Sequence, residues 1–376
     1  MEKRYFFQKI IGMILILSLV FVAGACTPST PPAGELDMGG ISGEQEVYNI
    51  KFSTWHPPAG EECQNTWTPM LEELQERSGG RITYTPYYGA ALGAGPEHYD
   101  IVRDGLSDMG YFTATWTPDR FPLTDVLSMP VKVLGKDVAV EIGNEMYERV
   151  LHEEFSDDVK VLQLNGCVMS FIWTNKPVRT LEDLKGLKIR SPGGLQTYMI
   201  ESLGAEPSFI PLGDVYLSME TGVIDGIVTC PMLYKAYKLH ELGKHAVVAT
   251  FGCVSEGVIM NKKFYDKMPV DLQAIVEEVV RNPFELTGGL TEEVIQACMD
   301  SMSAEGVEFY ELPAEEAKRW YDRFSEEVVK KWVGDMDKKG LPGKETLLNF
   351  KAVLDEQGVD FPAFPVEWED EVEQYR

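Results

Sequence analysis

The stretch from Thr180 to Pro231, TLEDLKGLKIRSPGGLQTYMIESLGAEPSFIPLGDVYLSMETGVIDGIVTCP, leaves little room for anything but a parallel sheet. Thr180 with Asp183 three residues on predicts a capped turn of helix. Leu187 to Ser191 reads as a strand halted by Pro192-Gly193-Gly194. A helix follows, with Leu195, Tyr198, Met199 and Ser202-Leu203 at the helical period and Gly204 at its stop. Pro207 to Pro211 is a second strand, Gly213 to Thr221 a helix closed by Gly222, and Val223 to Val228 a third strand. Strand–helix–strand–helix–strand with such short loops implies right-handed crossovers and parallel pairing. Ligands of open parallel sheets bind outside the carboxyl ends of the strands. Arg190 stands at the end of the first strand, and Thr229-Cys230 follow the third. The Gly-Gly helix start after Arg190 offers N–H groups that favour an anion, and a guanidinium there could grip a carboxylate bidentately. A solvated Arg paired with a neighbouring Glu fits the same spacing.

The beginning of the chain reads as processing signal. Lys3, Arg4 and Lys9 precede the apolar run Ile10 to Val22, which is short for a membrane span. Val22-Ala23-Gly24-Ala25-Cys26 resembles a bacterial lipobox, with cleavage before Cys26 and acylation of its thiol. Residues 26–46 are rich in Pro, Gly, Ser and Thr and read as a flexible tether. Loss of residues 1–25 removes one acid, Glu2, and three bases, so the formal charge of −26 deepens by two to −28. So acidic a surface repels nucleic acid and anionic lipid, and neither is an expected partner.

About 330 residues remain, more than one hydrophobic core usually spans, so two lobes are expected. The first opens with the strand YNIKFSTW from Tyr48 and a helix presenting Trp67, Met70-Leu71 and Leu74. A strand from Arg81 to Tyr87, a short helix over 96–105 and a strand from Asp108 to Phe112 complete a second β-α-β-α-β plan. Trp55, His56, Tyr88 and Trp116 fall at or just after the carboxyl ends of these strands and are candidates to line a cleft. Val159 to Trp173 carries the chain into the second lobe, with Ser170 and Trp173 as further candidates. Asp271 to Ala304 reads as one amphipathic helix, loosened or kinked between Pro283 and Gly288-Gly289. Helices over about 314–333 and 344–356 follow.

Three ordered blocks carry a resemblance. They are IKFSTWHPP through VRDGLSDMGYFTATWTPDRFPLTDVLSMP, then GLKIRSP through DVYLSMETGVIDG, and KKGLPGKETL near the end. The chain resembles the DctP family, the substrate-binding proteins of TRAP transporters. The resemblance implies an α/β, two-lobed fold of the periplasmic-binding-protein kind, with a long helix spanning both lobes. Lobe I would be residues 47–165 with about 253–285 returning, lobe II 166–252 with about 286–310, and 311–376 the C-terminal helices and tail. It also implies an extracytoplasmic receptor whose Arg190 binds the carboxylate of an organic acid, and membrane permease subunits as partners. The chain departs from some members in two places. Gly166 to Trp173 lacks a second Arg, and Ile-Val-Thr-Cys-Pro follows Asp225-Gly226 where sialic-acid types have Gln-Glu-Asn-Pro. The lower polarity argues against a polyhydroxylated sugar acid.

Besides Cys26, cysteines stand at 63, 167, 230, 253 and 298, with no C-x-x-C spacing and no metal or redox motif. There is no H-E-x-x-H, G-x-S-x-G or Walker loop and no dinucleotide fingerprint, so no catalytic residue, metal or cofactor is expected. A receptor feeding a sensor would need the same cleft, and a hydrolase with scattered residues is the remaining alternative.

Overall fold

The chain passes back and forth between two sheets, and that path assembles the site. The computed structural model describes residues 46–133, 135–166, 169–281, 283–284 and 290–376. The leader, the tether up to residue 45 with Cys26, and Cys167 lie outside the described residues.

The first half follows the expected order: β1 (Tyr48–Ser53), α1 (Thr68–Arg77), β2 (Ile82–Tyr87), α2 (His98–Arg103) and β3 (Met109–Thr113). β1 pairs in parallel with both β2 and β3. α1 buries Met70, Leu71 and Leu74 beneath the sheet, the spacing of one helical face. α3 (Lys136–Met146) then lies on β4 (Val159–Gly166). The two approach so closely that an ideal Cβ on Gly143 would stand 2.1 Å from the Leu164 carbonyl oxygen. The neighbouring Asn144 Oδ1 accepts the Leu164 N–H at 2.9 Å.

The second sheet begins with β5 (Phe171–Thr174). It continues through α4 (Leu181–Leu184), β6 (Lys188–Ser191), α5 (Gly194–Ser202) and β7 (Glu206–Phe209) to α6 (Val215–Glu220), β8 (Gly226–Thr229), α7 (Pro231–Ala236) and β9 (His245–Val248). β6 pairs in parallel with β7 and β8, as the sequence predicts. The third strand starts three residues later than expected, because Val223 belongs to the exposed turn after α6. Asp183 accepts the Thr180 N–H at 3.0 Å, closing the predicted capping box. Gly204 and Gly222 end α5 and α6 with φ of +88° and +73°. β5 is antiparallel to β8 and β9.

β10 (Ser255–Asn261) returns to the first sheet, antiparallel to both β3 and β4. α8 (Lys262–Tyr265) and α9 (Val270–Arg281) follow it, and α10 (Glu292–Ala304) with β11 (Glu308–Glu311) goes back to the second sheet. The strand orders are β2-β1-β3-β10-β4 and β11-β9-β5-β8-β6-β7. This is the expected two-lobed α/β fold.

The expectation of one long helix from Asp271 to Ala304 is corrected. Leu290 has φ +54°, and Thr291 is extended at φ −69° and ψ 165°, so a new helix starts there. Neither conformation continues an α-helical ladder. Thr291 followed by Glu292 and Glu293 is an N-terminus signal that the apolar periodicity of the segment masked. α9 packs its Leu272, Val276 and Val279 under the first sheet, and α10 its Ile295, Cys298 and Met302 under the second. The expected bend falls partly on residues 285–289, outside the described residues.

A third core joins the two lobes. α11 (Ala314–Phe324) contributes Trp320 and Phe324, α12 (Lys330–Lys338) Trp332, α13 (Gly343–Glu356) Phe350 and Leu354, and α14 (Glu369–Val372) Val372. These sit in one cluster with Phe112 of the first sheet and Ile189 and Val228 of the second. The predicted helix over 314–333 runs on, through a wide turn at Ser325–Val329, to Lys338. The acidic tail packs its Phe361, Phe364 and Val372 into this cluster.

Candidate functional site

Where β1, β3, β6 and β8 end and β10 begins, a small cavity opens between the sheets, at the position that open parallel sheets reserve for ligands. It is lined by Trp55 and Trp116 from the first half, by Arg190, Pro192, Thr229 and Cys230 from the second, and by Ser170, Val254 and Glu256 where the chain crosses. Its volume is about 30 Å³, room for a water or two. The lobes are therefore close together in this form, and an organic acid needs them wider.

Arg190 is the central group. It comes from the buried end of β6 and is 4% exposed. Its Nε donates to the Ile210 carbonyl at 2.9 Å, and among the described residues no carboxylate forms an ion pair with it. Burial pulls its pKa down to about 10, a fall that Tyr237 partly opposes, so it remains a cation at neutral pH. A buried charge without a counter-charge is costly, and a bound anion removes that cost.

The helix amides expected to help are otherwise engaged. Gly193 N–H donates to Ser191 Oγ at 3.0 Å, and Asp125, from the first lobe, faces the Leu195 amide and the Ser128 hydroxyl. Burial pushes the Asp125 carboxyl up to about 7. The start of α5 thus receives an acid of the protein itself, and the guanidinium is left as the anion-binding group.

The two tryptophans form one aromatic wall. The Trp55 and Trp116 rings lie 5.0 Å apart, and Trp55 stacks on His56 at 3.9 Å. Both indole Nε1 atoms are buried without a partner among the described residues.

Three predicted residues do not line the cavity. His56 is buried behind Trp55, where Trp67 Nε1 donates to its Nδ1 at 3.2 Å. Burial, helped by Lys136, lowers its pKa to about 3, so it is neutral. Tyr88 bonds Thr68 Oγ1 at 2.9 Å and packs edge-on against Phe52. Trp173 is fully buried, stacks on Tyr234 at 4.0 Å, and donates its indole N–H to the Thr229 carbonyl at 2.8 Å. It supports Thr229 from beneath. An aromatic residue at a strand end can turn either to the cleft or to the core, and these three turn to the core.

Of the lining residues that were missed, one is charged. Glu256 is 4% exposed in a strand whose seven residues are all buried. Its Oε2 accepts from Lys136 Nζ at 2.9 Å and from the Tyr111 hydroxyl. Lys136 Nζ also donates to the Gly166 carbonyl at 3.0 Å. A lone carboxylate inside the apolar run CVSEGVIM was the available signal.

Comparison with known proteins gives the class. Residues 52–335 match the family model "Bacterial extracellular solute-binding protein, family 7", DctP. The chain is 32% identical over 325 residues to the C4-dicarboxylate-binding periplasmic protein DctP of Rhodobacter capsulatus, covering 82% of this chain and 91% of that protein. A TRAP solute-binding protein of Rhodoferax ferrireducens, solved with copurified benzoate, superposes with a TM-score of 0.77. It is 26% identical, with 83% of this chain and 99% of that one covered. A Pseudomonas putida F1 TRAP protein with bound D-glucuronate gives a TM-score of 0.66 at 25% identity, over 79% and 96% of the two chains. The fold is thus that of an extracellular solute-binding protein. This chain belongs to the DctP family and is the substrate-binding component of a TRAP transporter.

Proposed function

We propose that the cavity captures an organic acid whose carboxylate is gripped by Arg190, and that the loaded protein passes it to membrane permease subunits. The observation that carries this reading is the buried guanidinium without an ion-pair partner among the described residues. Ser170 and Thr229 supply hydroxyl groups beside it, and Trp55 and Trp116 supply apolar surface for the body of the ligand. The benzoate of the Rhodoferax protein and the glucuronate of the Pseudomonas protein are both carboxylates, which supports the same chemistry here. A thermal-shift screen of carboxylic acids paired with their neutral amides tests it. Acids should raise the melting temperature and their amides should not. Stabilisation by amides as strong as by acids, or by no acid at all, would overturn the assignment.

The tether reading extends the proposal to the membrane. No helix among the described residues is long and apolar enough to cross a membrane, and acylated Cys26 would hold the mature chain at the surface. In fractionated cells, Cys26→Ala should move the protein from the membrane pellet to the soluble extracytoplasmic fraction while ligand affinity stays unchanged. Continued sedimentation of the variant with membranes would rule the anchor out.

A further inference from the structure

The cavity carries a second charged residue across from the clamp, and its state restricts the ligand. Glu256 enters from the first sheet, Arg190 from the second, and both line the same cavity. Glu256 Oε2 takes both the Lys136 ammonium and the Tyr111 hydroxyl, whereas no described residue hydrogen-bonds Oε1. Directly opposite on β4, in register with Glu256, Asn165 is fully buried with neither amide atom partnered among the described residues. Glu256 therefore makes this side of the cavity able to accept a hydrogen bond, with Asn165 next to it outside the lining. This side does not offer a second cation, because the Lys136 charge is already opposed by Glu256.

The charges then decide between ligand classes. Arg190 and Glu256 are the charged residues of the lining and Lys136 neutralises Glu256, so the lining carries one net positive charge, which one carboxylate closes. Glu62, outside the lining, has its carboxyl pushed up by burial, interacts with Glu256 and Lys136, and adds no cation. A dicarboxylate would bury a surplus negative charge facing Glu256, with no cation left for it. An amino acid would leave a surplus positive charge. A hydroxyl group adds no charge and donates to Oε1 in a charge-assisted hydrogen bond. Resting on the carboxylate-clamp reading of Arg190, we infer that Glu256 is a specificity-determining residue that selects hydroxylated monocarboxylic acids and rejects dicarboxylates.

Matched sets of acids separate this inference from the clamp itself. Calorimetric titration would compare benzoate, 3-hydroxybenzoate and isophthalate, then phenylacetate, mandelate and phenylmalonate, then butyrate, 3-hydroxybutyrate and succinate. In the set that fits best, the hydroxy acid should bind about tenfold or more tighter than its parent. The diacid should bind more weakly than the parent. Glu256→Gln alone strips Lys136 of its counter-charge, so the double variant Lys136→Met/Glu256→Gln, with both charges removed, is titrated beside it. The double variant should still bind the parent acid while the preference for the hydroxyl falls to about threefold or less. Full preference retained in that variant overturns the role of Glu256. In the wild type, acids that bind with no hydroxyl preference, or a diacid that binds as tightly as the hydroxy acid, overturn this inference and leave the clamp standing. That comparison decides the matter even where a variant does not fold. Absence of binding by every acid overturns the clamp and this inference together.

Discussion

Arg190→Ala should weaken binding of the best acid from the screen by roughly thirty- to several-thousand-fold, because truncating one partner of a buried charge pair costs about 2–5 kcal/mol. Arg190→Lys should fall almost as far. Lysine keeps the charge but loses the planar fork, and it also loses the Nε donor that holds the side chain to the Ile210 carbonyl. The loss should be carried mainly by faster dissociation. Titration calorimetry of the three proteins with one acid measures the effect, and melting curves confirm that each variant folds. If Arg190→Lys binds near wild-type strength, the two-pronged grip is wrong and a simple point charge is enough.

Gly143→Ala should destabilise the whole protein by roughly 3 kcal/mol, against the usual benefit of placing alanine in a helix. A new Cβ would stand 2.1 Å from the Leu164 oxygen and 2.5 Å from its carbonyl carbon, and both belong to backbone that cannot rotate aside. α3 must then lift from β4, stretching the Asn144 bond to Leu164 N–H and disturbing Lys136 at the start of the same helix. A control lies in α12, where Gly334 has nothing within 4 Å of an added Cβ. Gly334→Ala should be neutral or stabilising by up to about 1 kcal/mol. Thermal or urea unfolding of both variants decides the matter, and shifts in the same direction would refute the close-contact argument.

Local rules carried the reading of the second lobe a long way. The capping box at Thr180, the glycine stops at 204 and 222 and the short connections each act within a few residues, so their physics is written in consecutive letters. Arg190, Thr229, Trp55 and Trp116 could be gathered because the end of a parallel strand is a place that such signals locate, and Ser170 stands on the crossing just before β5. The residues that escaped depend on distant partners. Glu256 meets Lys136 across 120 positions of sequence, and nothing near either of them announces the other. Trp173 and His56 look like cleft residues until Tyr234 and Trp67 are seen to take their rings. The division at Thr291 was hidden for a different reason. α9 and α10 each present an apolar face, and two such faces on either side of a break mimic one continuous helix.

The strand order of the first sheet has a consequence for how the molecule is made. β4 touches that sheet only through β10, which stands between β3 and β4. When synthesis has reached Gly166, β1, β2 and β3 can pair, but β4 has no neighbour until residues 255–261 appear. The N-terminal lobe is therefore first to be synthesised but among the last parts to be completed. Its final pairing must close a long loop containing most of the other lobe, a slow kind of step because the entropy of closure is lost before the contacts form. A chain interrupted before β10 would present an unpaired, largely apolar strand, the kind of edge that draws unfolded chains together.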